Sequence, residues 1–266
     1  MAYVLGFVGA GNMAEAIARG AAQQGVVEAA AMVAADPSAD RLAVFRGFGV
    51  ASADDNAALI RSADSVLLAV KPQSLPELAE SLEAIDVERQ VVISIMAGAS
   101  CETIQKTIGK PARVVRVMPN TPLMVGRGMA GVAMGPHARP GDDELAMRLF
   151  GACGEAVRVE ESDIDAVTAV SGSGPAYLFY LAEAMRIAAD ELGLSDNGRL
   201  LVNQTLLGSA ELLAASDEEP AALRSKVTSP GGTTQAAIEH LDARDVRRAI
   251  VQALRAARDR SVELGS

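Results

Sequence analysis

The sequence VLGFVGAGNMA, residues 4–14, joins a short apolar run to a glycine-rich turn and the start of a helical pattern. From Met13 onward, apolar and small residues recur at the three- and four-residue spacing of an amphipathic helix. Gly9 permits the tight turn, Gly11 lets a pyrophosphate approach the backbone, and Ala14 lets the helix pack closely on the strand. We therefore predict a dinucleotide-binding strand, turn and helix.

An acidic residue strengthens this prediction. Asp36 ends the next apolar run, where a carboxylate can accept a hydrogen bond from a ribose 2′-OH and repel a 2′-phosphate. The N–H groups at the start of the helix favour phosphate. Ser38 and Arg41 follow closely and could instead hold a 2′-phosphate. The sequence therefore predicts NADP(H) or NAD(H) and leaves the choice open.

Composition excludes several classes of function. The 266 residues are half apolar and carry a net charge of −10, which argues against nucleic acid or an acidic membrane surface as partner. No run approaches the ~18 apolar residues of a membrane helix, and no basic segment precedes the glycine turn, so we expect neither a membrane span nor a signal peptide. Cys101 and Cys153 are too few for a disulfide framework, and we expect a cytoplasmic protein. Without metal-ligand spacing, we expect no metal site.

Strand and helix patterns alternate through the first half of the chain. Continuous apolar runs are typical of parallel strands covered on both faces. The runs are residues 4–8, 31–35, 65–70, 91–95 and 114–117, with 131–134 and 156–159 as edge strands. Ser74 with Glu77, and Ser100, have the spacing of helix caps. The pattern predicts an α/β fold with a doubly wound, Rossmann-type sheet.

The strand pattern stops near Glu160, and the spacing beyond it is helical. We predict a dinucleotide-binding domain at residues 1–161 and an all-helical dimerisation and substrate-binding domain at residues 162–266. The helices of the second part carry long apolar stripes and many alanines but few aromatic residues. Such surface is expected to be buried against a second copy of the chain, although packing within the domain would give the same pattern.

Unusual residues follow three of the predicted strands. Ligands of open parallel sheets bind at the carboxyl ends of the strands. Ala69-Val70-Lys71-Pro72 places a cation at one such end, although a solvated lysine is the simpler alternative. Small residues around Ala97 would let a flat ring approach the backbone at a second end. At the third, Asn120 lies between two prolines in a rigid loop.

Two glycine-rich segments interrupt the helical part. Ser171-Gly172-Ser173-Gly174-Pro175 indicates either a close approach of another group or a kink between helices. Thr228-Ser229-Pro230-Gly231-Gly232-Thr233-Thr234 leads into a helix. Its hydroxyls and the first N–H groups of that helix form a potential anion site without a basic residue, suited to a small carboxylate. An ordinary helix cap would need only one of these hydroxyls.

Together these motifs resemble, in order and spacing, those of pyrroline-5-carboxylate reductases, over nearly the whole chain. The resemblance implies reduction of the cyclic imine 1-pyrroline-5-carboxylate to L-proline with NADPH or NADH, the last step of proline biosynthesis. It also implies a homodimer with interlocked helical domains, which commonly assembles further to a decamer.

The resemblance also implies two sets of contacts, by position in the motifs. The cofactor set is Gly9, Ala10, Gly11, Asn12, Met13, Ala14, Asp36, Asn56, Ala69, Val70, Lys71, Pro72, Ala97 and Glu160. The substrate set is Val227, Ser229, Gly231, Gly232, Thr233 and Thr234. Thr234 would be the catalytic residue, as a proton donor or as an anchor for the substrate. A protonated imine needs no acid, and no histidine or covalent nucleophile is required.

Two other interpretations stay open. A 3-hydroxyacid dehydrogenase has a similar glycine turn and a helical second domain, but that family places a catalytic lysine after its glycine-rich segment. Residues 171–185 contain no lysine, which counts against it. A non-catalytic protein that senses a dinucleotide would not need the hydroxyl-rich segment at residues 228–234. A turnover assay distinguishes these alternatives.

Overall fold

Eight strands form one sheet in a computed structural model that describes residues 2–265. The strands are β1 Tyr3–Val8, β2 Met32–Ala35, β3 Ala51–Ser52, β4 Ala63–Leu68, β5 Val91–Ser94, β6 Arg113–Pro119, β7 Gly128–Met134 and β8 Gly154–Arg158. Their order in the sheet is β3-β2-β1-β4-β5-β6-β7-β8. Strands β1 to β6 run parallel, β7 is antiparallel to β6, and β8 is parallel to β7. The predicted doubly wound α/β sheet is confirmed.

Helices connect most of the strands and predominate in the chain after β8. The helices are α1 Asn12–Gln23, α2 Ala39–Gly47, α3 Asn56–Ser62, α4 Ala79–Leu82, α5 Cys101–Ile108, α6 Glu144–Gly151, α7 Ile164–Val167, α8 Gly174–Glu191, α9 Ser195–Ala214, α10 Pro220–Lys226, α11 Thr233–Ala243 and α12 Val246–Gly265. Within the described residues no strand follows β8, as predicted. The chain divides into two compact units, one up to Gly174 together with the chain from Ala257 onward, and the other Pro175–Ala256.

The sheet separates two layers of buried apolar side chains. Alternation along β1 sends Leu5 and Phe7 into one layer and Val8 into the other. Helices α1, α2 and α6 cover the first layer, where the ring of Phe7 meets that of Phe45 edge to face at 5.9 Å. Helices α3, α4 and α5 cover the second. Burying each large side chain contributes about 1.5–3 kcal/mol. Because both faces of the strands are covered, side chains on both faces gain this energy, which explains why the strands are continuous apolar runs.

Local signals were correct in one case and wrong in another. The Ser100 hydroxyl caps α5 by accepting a hydrogen bond from Thr103 N at 3.1 Å. The predicted cap at Ser74 is wrong, because Ser74 ends a 3-10 turn that begins at Pro72, and Pro76 begins a second such turn without a side-chain cap. Strand β3 was not predicted, since two residues at the edge of the sheet are too short for a periodic pattern.

A buried ion pair joins the sheet to the segment that precedes α6. Arg113 on β6 donates to both carboxylate oxygens of Asp142, with Nε at 2.9 Å from Oδ2. The backbone N–H of Arg139 also donates to Oδ2, at 2.7 Å. The Asp142 side chain is only 4% exposed. Burial alone would raise the pKa of Asp142, but the hydrogen bonds from Arg113 and Arg139 outweigh it and hold the pKa below its usual value.

Asp142→Asn is expected to lower the free energy of unfolding by about 2–4 kcal/mol at neutral pH, because it breaks a buried charged pair. The folded carboxyl has a lower pKa than the unfolded value of about 3.9. The stabilisation is therefore complete above about pH 4 and is lost as the pH falls through the folded value. Chemical denaturation of wild type and variant at neutral and acidic pH, at one protein concentration, measures both effects.

Glu88→Gln is the matched control, since it removes an exposed ion pair. The Glu88 carboxylate, which pairs with Arg139, belongs to a side chain that is 79% exposed. This variant should unfold like the wild type, because exposed pairs contribute little. An Asp142→Asn protein as stable as the wild type at neutral pH would contradict the role assigned to the buried pair.

Candidate functional site

The glycine turn lies where the strand order of the sheet reverses. Strand β1 pairs with β2 on one side and with β4 on the other. Gly9 has a φ of 95°, in the left-handed region that favours glycine, and a Cβ there would lie 3.0 Å from Ala69 O. A Cβ built on Gly11 would have no atom within 4 Å, so this backbone is open. The crevice at such a reversal is where open α/β sheets bind ligands.

Helix α1 begins directly after this turn. Gly11 is its N-cap and provides no side-chain hydrogen bond to the first N–H groups. Helix geometry leaves those groups without acceptors inside the helix. Ala14 is fully buried, so the first turn of the helix packs closely. Open backbone next to free N–H groups fits the pyrophosphate of a dinucleotide.

Side chains from the β2–α2 connection and from the first turn of α2 bind the backbone of the glycine turn. Asp36 Oδ2 accepts from Ala10 N at 2.7 Å, and Oδ1 accepts from Ser38 N at 2.8 Å. Arg41 Nε donates to Ala10 O at 2.6 Å, and Arg41 Nη2 donates to Glu15 Oε2 at 2.7 Å. Arg41 is therefore engaged by protein groups. The Asp36 oxygens keep lone pairs that can accept a ribose hydroxyl.

Most of the other predicted cofactor residues lie at the same edge of the sheet. Ala69 to Lys71 follow β4, Ala97 follows β5, and Asn56 begins α3 shortly after β3. All of these strands run parallel to β1, so their carboxyl ends share one edge. Ala69 N donates to Val8 O at 2.9 Å, which ties two strand ends together. Lys71 and Ala97 are exposed, and Pro72 starts a 3-10 turn.

Glu160 has a different position from the rest of the set. It follows β8, which runs opposite to β1–β6, so it comes after a strand end that points away from this edge. Its neighbour Glu161 accepts from Cys101 N at the start of α5, at 2.7 Å, and lies 3.5 Å from Arg116 Nη1. This partly buried pair is a feature that the sequence patterns did not predict. An arginine within the apolar strand β6 was the available signal.

Asn120 connects two of the segments that the sequence singled out. Its Nδ2 donates to Ser171 O at 3.1 Å, and its Oδ1 accepts from Met129 N at 2.9 Å. Ser171 lies in a π-helical turn, Thr168–Gly172, between α7 and α8. A Cβ at Gly172 would lie 2.5 Å from Met118 Cε, so the glycine allows a close approach. Asn120 therefore holds the loop after β6 against the glycine-rich turn.

The predicted substrate residues form the connection from α10 to α11, in the second compact unit. Gly231 has a φ of 71°, and a Cβ at Gly232 would lie 2.6 Å from Ser229 Oγ. The segment thus requires glycine at both positions, at Gly231 for its left-handed backbone and at Gly232 for the close approach of Ser229. Gly231 N donates to Gln235 Oε1 at 2.7 Å. Gln235 is not among the predicted site residues, although a glutamine three residues after an N-cap is a known capping signal.

The hydroxyls of this connection have different roles. Thr228 Oγ1 donates back to Arg224 O at 2.7 Å, so it stabilises the end of α10. Thr233 and Thr234 are the first two residues of α11, and Thr234 is half-buried. Gly232, the N-cap, provides no side-chain hydrogen bond. The first N–H groups of α11 thus remain available to an anion, next to the hydroxyls of Thr233 and Thr234.

Neither cysteine is an activated nucleophile. Both thiols are buried. Burial, reinforced by the nearby carboxylate of Glu161, raises the pKa of Cys101, and burial raises the pKa of Cys153. Within residues 2–265, no three His, Cys, Asp or Glu side chains lie close enough together to hold a metal ion. No helix in that part of the chain combines the length and apolar character needed to span a membrane.

Comparisons with known proteins agree with this geometry. Residues 161–264 match the family described as pyrroline-5-carboxylate reductase dimerisation, and residues 4–98 match NADP oxidoreductase coenzyme F420-dependent. The chain is 42% identical to a pyrroline-5-carboxylate reductase from Pseudomonas aeruginosa over 263 residues, covering 98% of this chain and 96% of that protein.

Solved structures give the same result. A pyrroline-5-carboxylate reductase from Coxiella burnetii has a TM-score of 0.90 and 36% identity, and the match covers 100% of both chains. The Plasmodium falciparum pyrroline carboxylate reductase with NADP bound has a TM-score of 0.85 and 29% identity, covering 99% of this chain and 98% of that one. The chain belongs to the pyrroline-5-carboxylate reductase family.

Proposed function

We propose that this protein reduces 1-pyrroline-5-carboxylate to L-proline with NADH or NADPH, the last step of proline biosynthesis. One observation carries the proposal: the family match extends over both the glycine turn and the hydroxyl-bearing start of α11. A dinucleotide sensor would use only the first of these, and a 3-hydroxyacid dehydrogenase would need a lysine that residues 171–185 lack.

The first compact unit supplies the cofactor contacts. The open backbone of Gly11 and the start of α1 receive the pyrophosphate, and Asp36 receives the ribose. Lys71 and Ala97, both exposed at the same edge of the sheet, face the remainder of the cofactor. We also assign Glu160 to this set; it follows β8, which runs in the opposite direction to β1–β6. The bound cofactor supplies a hydride to the imine carbon.

The residues from Val227 to Thr234 supply the substrate contacts. The first N–H groups of α11 bind the substrate carboxylate together with the hydroxyls of Ser229 and Thr233. Thr234, in the first turn of the same helix, donates a hydrogen bond to the substrate or passes a proton to the ring nitrogen. Holding the imine carbon against the cofactor is mainly a matter of orientation.

In this proposal, residues 1–161 form the cofactor-binding domain, and residues 162–266 form the domain for dimerisation and substrate binding. The second compact unit exposes many large apolar side chains, among them Phe179 at 61%, Tyr180 at 76% and Leu192 at 77%. Exposed apolar surface of this extent is typical of an interface between subunits. We propose a homodimer that assembles to a decamer, in the cytoplasm, with a small-molecule substrate and without nucleic acid, membrane or metal as partners.

Oxidation of NADH and NADPH, followed by absorbance, tests the proposed reaction. The protein should consume both cofactors with 1-pyrroline-5-carboxylate and produce L-proline in equal amount. It should be inactive with a panel of 3-oxoacids. Turnover of a 3-oxoacid alone would favour the dehydrogenase interpretation. Dinucleotide binding without any turnover would favour the sensor.

Thr234→Ala should raise KM for the pyrroline substrate and lower kcat modestly. A hydrogen bond to the substrate is worth ~0.5–1.5 kcal/mol, so the loss in kcat/KM should be about tenfold or less. A general acid would contribute about 10²–10⁴-fold. The small effect is expected because a threonine hydroxyl is a weak acid and the imine can arrive protonated. Steady-state kinetics across pH, with cofactor affinity measured separately, distinguishes the two roles.

Thr228→Ala is the matched control for this variant, since the Thr228 hydroxyl is bonded to Arg224 O in α10. It should alter stability more than catalysis. Unchanged kinetics in Thr234→Ala would remove this helix start from the substrate site. A loss in kcat alone of more than about a thousandfold would make Thr234 the acid.

Asp36→Ser should raise the preference for NADPH over NADH by about tenfold, because it removes the charge that a 2′-phosphate would meet. Affinity for both cofactors should fall as well, since the Asp36 carboxylate also accepts from Ala10 N at 2.7 Å. The ratio of kcat/KM for the two cofactors is therefore the measurement to make. A ratio equal to that of the wild type would show that Asp36 does not face the ribose.

A further inference from the structure

Arg41 lies on α2, but its guanidinium is bound to α1 and to the glycine turn. Its Nε donates to Ala10 O at 2.6 Å, and its Nη2 donates to Glu15 Oε2 at 2.7 Å. The side chains of Arg41 and Glu15 are 27% and 22% exposed, so water screens this ion pair only in part. Two of the five donors of the guanidinium are therefore committed to protein groups.

Asp36 binds the backbone N–H of Ala10, the residue whose carbonyl accepts from Arg41. Its Oδ2 accepts from Ala10 N at 2.7 Å, while Arg41 accounts for Ala10 O. Both backbone groups of Ala10, the middle residue of the turn, are thus held by side chains, one from the β2–α2 connection and one from α2. We call Asp36, Arg41 and Ala10 the Ala10 clamp.

Glu15 holds Arg41 in place from α1. It also accepts from Arg19 Nε at 2.8 Å, and the Arg19 guanidinium lies 4.2 Å from the ring centre of Phe48. Burial would raise the pKa of Glu15, but the hydrogen bonds from Arg19 and Arg41 outweigh it and lower the pKa. Glu15 is therefore ionised at neutral pH and keeps its attraction for Arg41.

We infer that Arg41 is a positioning residue, which holds the Ala10 peptide in the shape that receives the cofactor's pyrophosphate, and that it does not bind a 2′-phosphate. The inference rests on the proposed function, because it assumes a dinucleotide at the glycine turn. A 2′-phosphate that took the guanidinium would leave Glu15 and Ala10 O without their donor, at a cost. NADH and NADPH share the same pyrophosphate, so the loss of Arg41 affects both equally.

Equilibrium binding of NADH and of NADPH to Arg41→Ala, Arg41→Lys and the wild type tests this inference. Arg41→Ala should raise both Kd values by about tenfold and leave their ratio unchanged. Arg41→Lys should fall between Arg41→Ala and the wild type, because one ammonium cannot make both bonds of the planar guanidinium. Arg46→Ala is the matched control on the same helix: Arg46 is exposed and donates to Ser52 Oγ at 3.3 Å. It should bind both cofactors like the wild type.

Kinetics separate positioning from a general loss of folding. In Arg41→Ala, KM for either cofactor should rise while kcat at saturating cofactor and KM for the pyrroline substrate stay unchanged. A merely structural role would reduce the amount of active enzyme, which lowers kcat and leaves every KM unchanged. If Arg41→Ala does not fold, Arg41→Lys decides by the same criteria.

Two outcomes would overturn the inference. Weaker NADPH binding with unchanged NADH binding would assign Arg41 to the 2′-phosphate, and unchanged binding of both would show that the Ala10 clamp does not matter. A wild type that binds neither cofactor would overturn the proposed function and this inference with it. A wild type that binds both but does not reduce the pyrroline substrate would overturn the proposed reaction alone.

Discussion

The left-handed turn at Gly9 is the constraint on which the rest of the structure depends. Gly9 N donates to Ala35 O at 2.9 Å, and a side chain at this position would meet the carbonyl of Ala69. The ends of β1, β2 and β4 can therefore converge only because residue 9 has no Cβ. This convergence turns the chain directly into α1 and leaves the backbone open two residues later, at Gly11.

Charged side chains fix the conformation of the turn that Gly9 allows. The apolar strands bring the elements together, but apolar contacts are not directional and leave the peptide groups of a turn free to rotate. Asp36 and Arg41 remove this freedom at Ala10, as Arg116 and Glu161 do at the start of α5. These side chains are partly shielded from water, where a charged hydrogen bond is stronger than at the surface. The proposed site is thus supported by polar contacts from elements distant in sequence.

The substrate segment is built on a different principle. The start of α11 has no charged partner within its own turn and depends on glycine conformations and on Gln235. A neutral site formed by N–H groups and hydroxyls suits a small anion that must leave again as product. A charged side chain in the same place would form a buried salt bridge with the anion, and that salt bridge would have to be broken at release. The residues assigned to the cofactor and those assigned to the substrate therefore differ in chemistry as well as in position along the chain.

Local sequence patterns predict the glycine turn, the parallel strands and the helical second part, because each of these depends on local periodicity or on a residue with a unique backbone range. They also identify the family, since those local signals keep their order along the chain. The tertiary structure alone decided that Arg41 faces Ala10 and Glu15, that Glu161 pairs with Arg116, and that Asn120 bonds to Ser171. It also showed that Ser74 belongs to a 3-10 turn and that β8, the strand before Glu160, runs opposite to β1–β6. These facts depend on which distant segments meet, and no local pattern of residues records that.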